Sequence, residues 1–228
     1  MDCFETTSQT YPRLQDFQII NELVSVCGVL SKFAFDIRIL QSFGEITESF
    51  SENQTGSSAM PTKRNPILSE KICSLAREIS VYPKIIWDNY SLSLLERTLD
   101  DSANRRNIIP ESFFICDEIL ISSEKLLNGM IHNEKVIKEN LKKYLNYEGV
   151  LNEVVKRGGD RQNVYTLLNK NGYYNKKILK YITVEKIENI LHNKHDIGIA
   201  SIQAEKFVNH MEIELSGGGL SGPTGIQG

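Results

Sequence analysis

The residues best suited to chemistry fall in a short stretch, Gly56-Ser57-Ser58-Ala59-Met60-Pro61-Thr62-Lys63-Arg64-Asn65-Pro66, with Glu70 and Lys71 close behind. A glycine opens it, where the backbone can adopt angles that other residues avoid. Two hydroxyls follow, then two cations and a carboxamide. Pro66 suits the first position of a helix, which needs no N–H donor. A polar loop running into a helix start gathers free amides and positive potential, the makings of an anion site. A serine hydroxyl there can serve as a base only when such surroundings favour its ionised form. A second cluster, Glu96-Arg97-Thr98-Leu99-Asp100-Asp101-Ser102-Ala103-Asn104-Arg105-Arg106, offers Arg97 and Arg106 as guanidinium forks around Ser102. That combination suits a phosphate.

These strings carry a resemblance. Ser57 to Pro66 resembles the signature loop of the fumarase/aspartase superfamily, and Arg64 between Lys63 and Asn65 is similar to its adenylosuccinate lyase branch. The segment 96–106 resembles the matching segment of eukaryote-type members, and Ser8-Gln9-Thr10-Tyr11 with Arg13 fits in the same order. Ordered matches at family-like spacing are far more specific than any one of them. The resemblance implies β-elimination releasing fumarate from adenylosuccinate, giving AMP, and from the succinyl-carboxamide ribonucleotide of purine biosynthesis.

It assigns Ser57 as catalytic base, with Ser58 supporting the loop, and Lys63 and Asn65 as contacts to the substrate carboxylate. Glu70 is expected to orient a catalytic histidine. Gln9, Lys71, Arg97, Ser102 and Arg106 are expected to bind substrate; Lys71 stands where eukaryote-type members tend to carry arginine, and so lacks a bidentate fork. The family's general acid lies on a segment preceding Gln9. The expectation is therefore a C-terminal half, active only with its missing part; a helical assembly module without activity, or another fumarate-releasing lyase, is the alternative. Homotetramers are implied, with each site drawing on three subunits.

Apolar residues at three- and four-residue steps predict how these groups are positioned. Phe17, Ile20, Leu23, Val24, Cys27, Leu30, Ala34, Ile37 and Leu40 predict one long helix over 14–41. A second helix is expected from Pro66 to about Leu95, kinked at Pro83, with 42–56 an irregular connection. A third should start at the Asp100-Asp101-Ser102 cluster and end at Gly129, bent at Pro110, with Phe113, Phe114, Ile119, Leu120, Leu126 and Leu127 as its inner face. Shorter helices are expected at 134–145, 149–157, 161–170, 174–181, 184–192 and 200–212. Gly158-Gly159-Asp160 reads as one helix stopping and the next being capped. The fold class expected is all-α: part of a long-helix bundle over 1–131, a small helical domain over 132–215, and a Gly/Ser-rich disordered tail at 216–228.

A net charge of −3 excludes the basic signature of a nucleic-acid partner. No apolar run approaches the ~20 residues needed to cross a membrane, and no secretory leader is read after Met1. Cys3, Cys27, Cys73 and Cys116 fit no metal spacing, nor do His132, His192, His195 and His210. No cofactor is called for, and a cytoplasmic setting is expected.

Overall fold

A computed structural model of the chain describes residues 4–49, 64–143, 147–193 and 198–216. It divides into two compact units between Glu139 and Asn140. The all-α expectation holds, apart from one pair of two-residue strands.

In the first unit, α1 (Leu14–Ser42) runs unbroken for 29 residues. α2 (Ile67–Ile79) returns alongside it, followed by α3 (Tyr82–Ser91). α4 (Ser102–Gly129) then runs parallel to α1. The direction is fixed by contacts: Asp16 meets Arg105, and the Cys27 thiol meets that of Cys116. Antiparallel packing of α2 follows from Cys73, whose thiol donates to the Ser31 carbonyl, and from Gln41, whose amide donates to the Arg64 carbonyl. At the far end, β1 (Ile46–Thr47) pairs antiparallel with β2 (Ile131–His132).

The seam between these helices is built from Ile20, Cys27, Ala34 and Ile37 of α1, Ile72, Cys73, Ala76 and Ile79 of α2, and Ile115, Cys116, Ile119 and Leu126 of α4. Small side chains among them let the helix axes approach closely at packing density near that of a crystal. Burial first, and then the neighbouring Cys116 thiol, push the Cys27 thiol up to about 12, so it behaves as a small hydrophobe.

Three expectations need correction here. The helix anticipated from Pro66 to Leu95 is two helices: α2 stops at Ile79, and Pro83 sits in the first turn of α3. A proline there starts a helix more cheaply than it kinks one. The inner face of α4 includes Ser112, Ser122 and Ser123, whereas Phe113, Phe114, Leu120 and Leu127 are exposed. Both faces of α4 are apolar in part, so hydrophobicity alone picks the wrong stripe. Among the described residues of 42–56, Ile46 and Thr47 form a strand.

In the second unit, α6 (Tyr147–Lys156), α7 (Arg161–Asn171) and α8 (Val184–Asn193) enclose Val150, Val154, Val164, Leu168, Ile178 and Ile187. α5 (Glu134–Lys143) spans the division between the units, and α9 (Ala200–Ser216) closes the described chain. Gly158 holds φ +91°, a Cβ on Gly159 would lie 2.7 Å from Val154 Cγ1, and the Asp160 carboxylate caps α7 through the Asn163 N–H at 2.9 Å. The helix expected at 174–181 is a series of turns. The Asn175 side chain accepts the Lys177 N–H at 2.8 Å, a local bond that competes with helix formation. The tail expected from 216 lies outside the described residues beyond Ser216, which ends α9.

Candidate functional site

The site residues expected from the sequence fall into two groups held by different elements. Ser57, Ser58 and Lys63 lie outside the described residues. Asn65, Glu70 and Lys71 stand at the start of α2, beside the C-terminal end of α1. Gln9, Arg97, Ser102 and Arg106 stand at the opposite end of the bundle, where α1 and α4 begin.

At that second end a compact ion cluster organises the backbone. Arg13 Nε donates to Asp101 Oδ2 at 2.8 Å, and Arg105 Nε donates to Asp16 Oδ2 at 2.7 Å. The Tyr11 hydroxyl donates to Asp16 Oδ1 at 2.6 Å and accepts from Arg105, while the Arg13 guanidinium lies 4.7 Å from the Tyr11 ring centroid. Both aspartates are buried. Burial works against the charge on Arg105, but the hydrogen bond and charge of Asp16 outweigh it and raise the pKa. Burial and then the Asp16 carboxylate raise that of Tyr11.

Asp101 takes the N-cap position of α4 but makes no capping bond. Its carboxylate is engaged instead by Arg13 Nε, a charge-assisted bond between two ionised groups. Ser8 Oγ donates to the Glu96 carbonyl at 3.3 Å, which brings the residues preceding Gln9 and Arg97 together. Asn89 and Asn104 exchange amide hydrogen bonds at 2.7 and 3.0 Å, tying α3 to α4. Ser102 is half-buried; Gln9, Arg97 and Arg106 are exposed, and Arg106 lines a cavity of about 370 Å³ with Tyr82 and Glu111. The arrangement can present guanidinium groups and a hydroxyl to an anion.

At the α2 end, Asn65 is half-buried and Glu70 exposed. Lys71 Nζ is bound to Glu118 of α4, and this hydrogen bond first, then that from Ser122, holds the Glu118 carboxyl below the usual carboxylate range. The α2 N-terminus is not the open anion site the sequence suggests. Glu48 fills it: Oε1 accepts the Ser69 N–H at 2.8 Å and Oε2 the Leu68 N–H at 3.0 Å. Glu48 and its partner Gln41 escape a reading based on local spacing, because Glu48 reaches across some twenty residues to find Ser69.

Lys71, bound to Glu118, lies partway along α4, but Asn65 and Ser102 stand at opposite ends of α1, roughly 40 Å apart at ~1.5 Å per residue. A small substrate cannot span them within this chain. Residues 5–80 match the family described as lyase. Over 225 residues the chain is 36% identical to adenylosuccinate lyase of Schistosoma mansoni, covering 89% of this chain and 47% of that protein. Against adenylosuccinate lyase of Pyrococcus abyssi it is 33% identical, covering 90% of this chain and 50% of that one. The chain is similar in sequence to adenylosuccinate lyases.

It spans about half the length of these curated relatives. Solved structures agree on the fold: 3-carboxy-cis,cis-muconate lactonizing enzyme from Pseudomonas putida superposes with a TM-score of 0.72 at 20% identity, over 86% of this chain and 48% of that one. Class II fumarase from Schistosoma mansoni gives 0.60 at 19% identity, over 77% and 38%. The adenylosuccinate lyase resemblance drawn from three short strings thus extends across most of the chain. Among the described residues, no helix is long and apolar enough to cross a membrane.

Proposed function

We propose that this chain supplies the C-terminal half of a cytoplasmic carbon–nitrogen lyase that eliminates fumarate from adenylosuccinate and from the succinyl-carboxamide ribonucleotide. The observation that carries the reading is the similarity to adenylosuccinate lyases over nine-tenths of the chain, including both strings that hold its candidate site residues. In this reading Ser57 removes the proton next to the substrate carboxylate, and Lys63 and Asn65 stabilise the negative charge that builds there. The carbon–nitrogen bond then breaks, its electron pair stays on the nitrogen, and an acid from outside this chain protonates it. Arg97, Ser102 and Arg106 hold the 5′-phosphate, with Gln9 and Lys71 as further substrate contacts and Glu70 orienting a histidine of the missing part.

The separation of Asn65 from Ser102 by the length of α1 supports a site assembled from several subunits, as in a homotetramer, with the phosphate-binding end of one chain meeting the loop end of another. The exposed apolar face of α4, with Phe113, Phe114 and Leu120, is consistent with such association.

Fumarate release, followed in the ultraviolet, tests this. The chain alone should give none. Mixed with a separately expressed N-terminal half of the Schistosoma mansoni relative, it should turn over adenylosuccinate, and Ser57→Ala in that mixture should abolish turnover with little change in KM. Calorimetry on the same mixture should find AMP bound more tightly than adenosine. Failure of the mixture, where the relative's own two halves reconstitute activity, overturns the reading.

A further inference from the structure

The loop-bearing end of the bundle contains a buried carboxylate that the reaction as described does not use. Glu48 is 8% exposed and leaves β1 toward α2. Its Oε1 accepts from both the Ser69 N–H at 2.8 Å and the Ser69 hydroxyl at 2.6 Å, and its Oε2 from the Leu68 N–H at 3.0 Å. The Glu48 N–H in turn donates to Gln41 Oε1 at 3.0 Å, and Gln41 Nε2 donates to the Arg64 carbonyl at 3.1 Å. Two side chains therefore hold residues 64, 68 and 69 from one direction.

The holder is itself fixed. Asn133 N–H donates to the Glu45 carbonyl at 2.9 Å, extending the β1–β2 pairing. Gly129 leaves room for Ser49, whose Oγ would lie 2.4 Å from any Cβ there. The carboxylate is thus anchored to the end of α4 and the last turn of α1. A helix start usually takes its cap from the residue just before it; the Pro66 position of α2 makes no side-chain cap. The remote carboxylate replaces it, with two charge-assisted bonds to backbone amides and one to a hydroxyl.

We propose that Glu48, relayed by Gln41, is a positioning residue for the elimination. It sets where Asn65 and the first turn of α2 stand, and it closes the α2 N-terminus to the substrate. The substrate carboxylate is then left to side chains, which can strengthen their contacts as charge builds up. This inference rests on the proposed lyase reading for its kinetic part only; the clasp itself is testable on the chain as it stands.

Backbone amide exchange, read by mass spectrometry or NMR, gives the first test. In Glu48→Ala the Leu68 and Ser69 amides should exchange about tenfold faster, the scale of a lost helix cap, while Ala76 and Ile79 keep their protection. The vacated site opens on a cavity of about 560 Å³ that Lys125 and Asn128 also line. Added acetate should therefore enter and slow exchange at Leu68 and Ser69 again. If Glu48→Ala prevents folding, Gln41→Leu serves instead: it removes the acceptor of the Glu48 N–H and the tie to the Arg64 carbonyl, and should speed exchange at Glu48 while Ala76 and Ile79 keep their protection. Unchanged exchange at Leu68 and Ser69 in Glu48→Ala, or no acetate response, overturns the clasp.

In the reconstituted mixture, Glu48→Ala should lower kcat/KM by about 100-fold, the scale of a misplaced site residue, with acetate restoring part of it and Glu48→Gln falling between. Loss of activity without acetate rescue overturns the kinetic role even where the exchange data stand. A mixture inactive with the unaltered chain counts against the lyase reading, and the exchange arms still decide the clasp.

Discussion

Removing Asp16 is the sharpest probe of the bundle. Its carboxylate is 6% exposed and accepts from Arg105 Nε at 2.7 Å and the Tyr11 hydroxyl at 2.6 Å. Asp16→Ala leaves the Arg105 guanidinium, itself 18% exposed, with Asp101 Oδ2 at 3.9 Å as its nearest anion. That oxygen is already taken by Arg13 at 2.8 Å. Breaking a buried pair by removing one partner costs 3–5 kcal/mol; the residual pull of Asp101 sets the expectation at the low end, about 3 kcal/mol. Arg105→Met should cost a similar amount, because it strands Asp16.

The double variant Asp16→Ala/Arg105→Met replaces both charges with apolar groups and should cost far less than the two losses added together, a coupling of about 2 kcal/mol or more. Urea unfolding followed by Trp87 fluorescence is the assay. Trp87 is the sole tryptophan, sits in α3, and lies 6.0 Å from the Tyr90 ring, which in turn contacts Phe17 of α1. It therefore reports this end of the bundle. A coupling below about 0.5 kcal/mol, the usual additivity error, would show that the cluster is a surface ornament and refute the reasoning.

Three further outcomes are expected. Burial and then Glu78 raise Tyr82 to about 12; a folded pKa above the unfolded 10.0 means stability present below pH 10 and lost as pH rises toward 12, so Tyr82→Phe should flatten that limb of a stability–pH curve. Lys71→Met should return the Glu118 carboxyl toward the ordinary carboxylate range in a carbon-detected NMR titration; an unmoved titration would place the cause elsewhere. Gly159→Ala drives a Cβ to 2.7 Å from Val154 Cγ1 and should destabilise the second unit by about 1–3 kcal/mol, the cost of overpacking, read from the urea midpoint.

Local periodicity made α1 legible from end to end, because Ile20, Cys27, Ala34 and Ile37 all turn inward. It failed on α4, where serines occupy inner positions and phenylalanines outer ones. A buried serine with a helix carbonyl to donate to, as Ser112 has in Ile108 at 2.7 Å, satisfies its polarity without water and looks polar only on paper. The chemistry-bearing strings were legible as strings. The placement of Asn65 and Ser102 at opposite ends was not, since nothing in either residue encodes which end of α1 it meets. Glu48 illustrates the same limit: a residue that looks like loop solvation is a helix cap, because its partner lies across a turn of chain that spacing rules do not bridge.

The α1 seam has a further consequence. Ile20, Cys27 and Ala34 recur every seven residues and are all small or medium apolar groups, so a slide of α4 by one heptad, about 10 Å, would find nearly the same surface. The middle of the bundle thus specifies that these helices associate but not where. The polar address is written mainly toward the ends, in Asp16 and Asp101 at one and in the Gly129–Ser49 contact at the other, with Lys71–Glu118 between them. Conservative exchanges at mid-seam should leave a single alignment intact, whereas erasing both ends would leave a bundle that still forms and no longer knows its own frame.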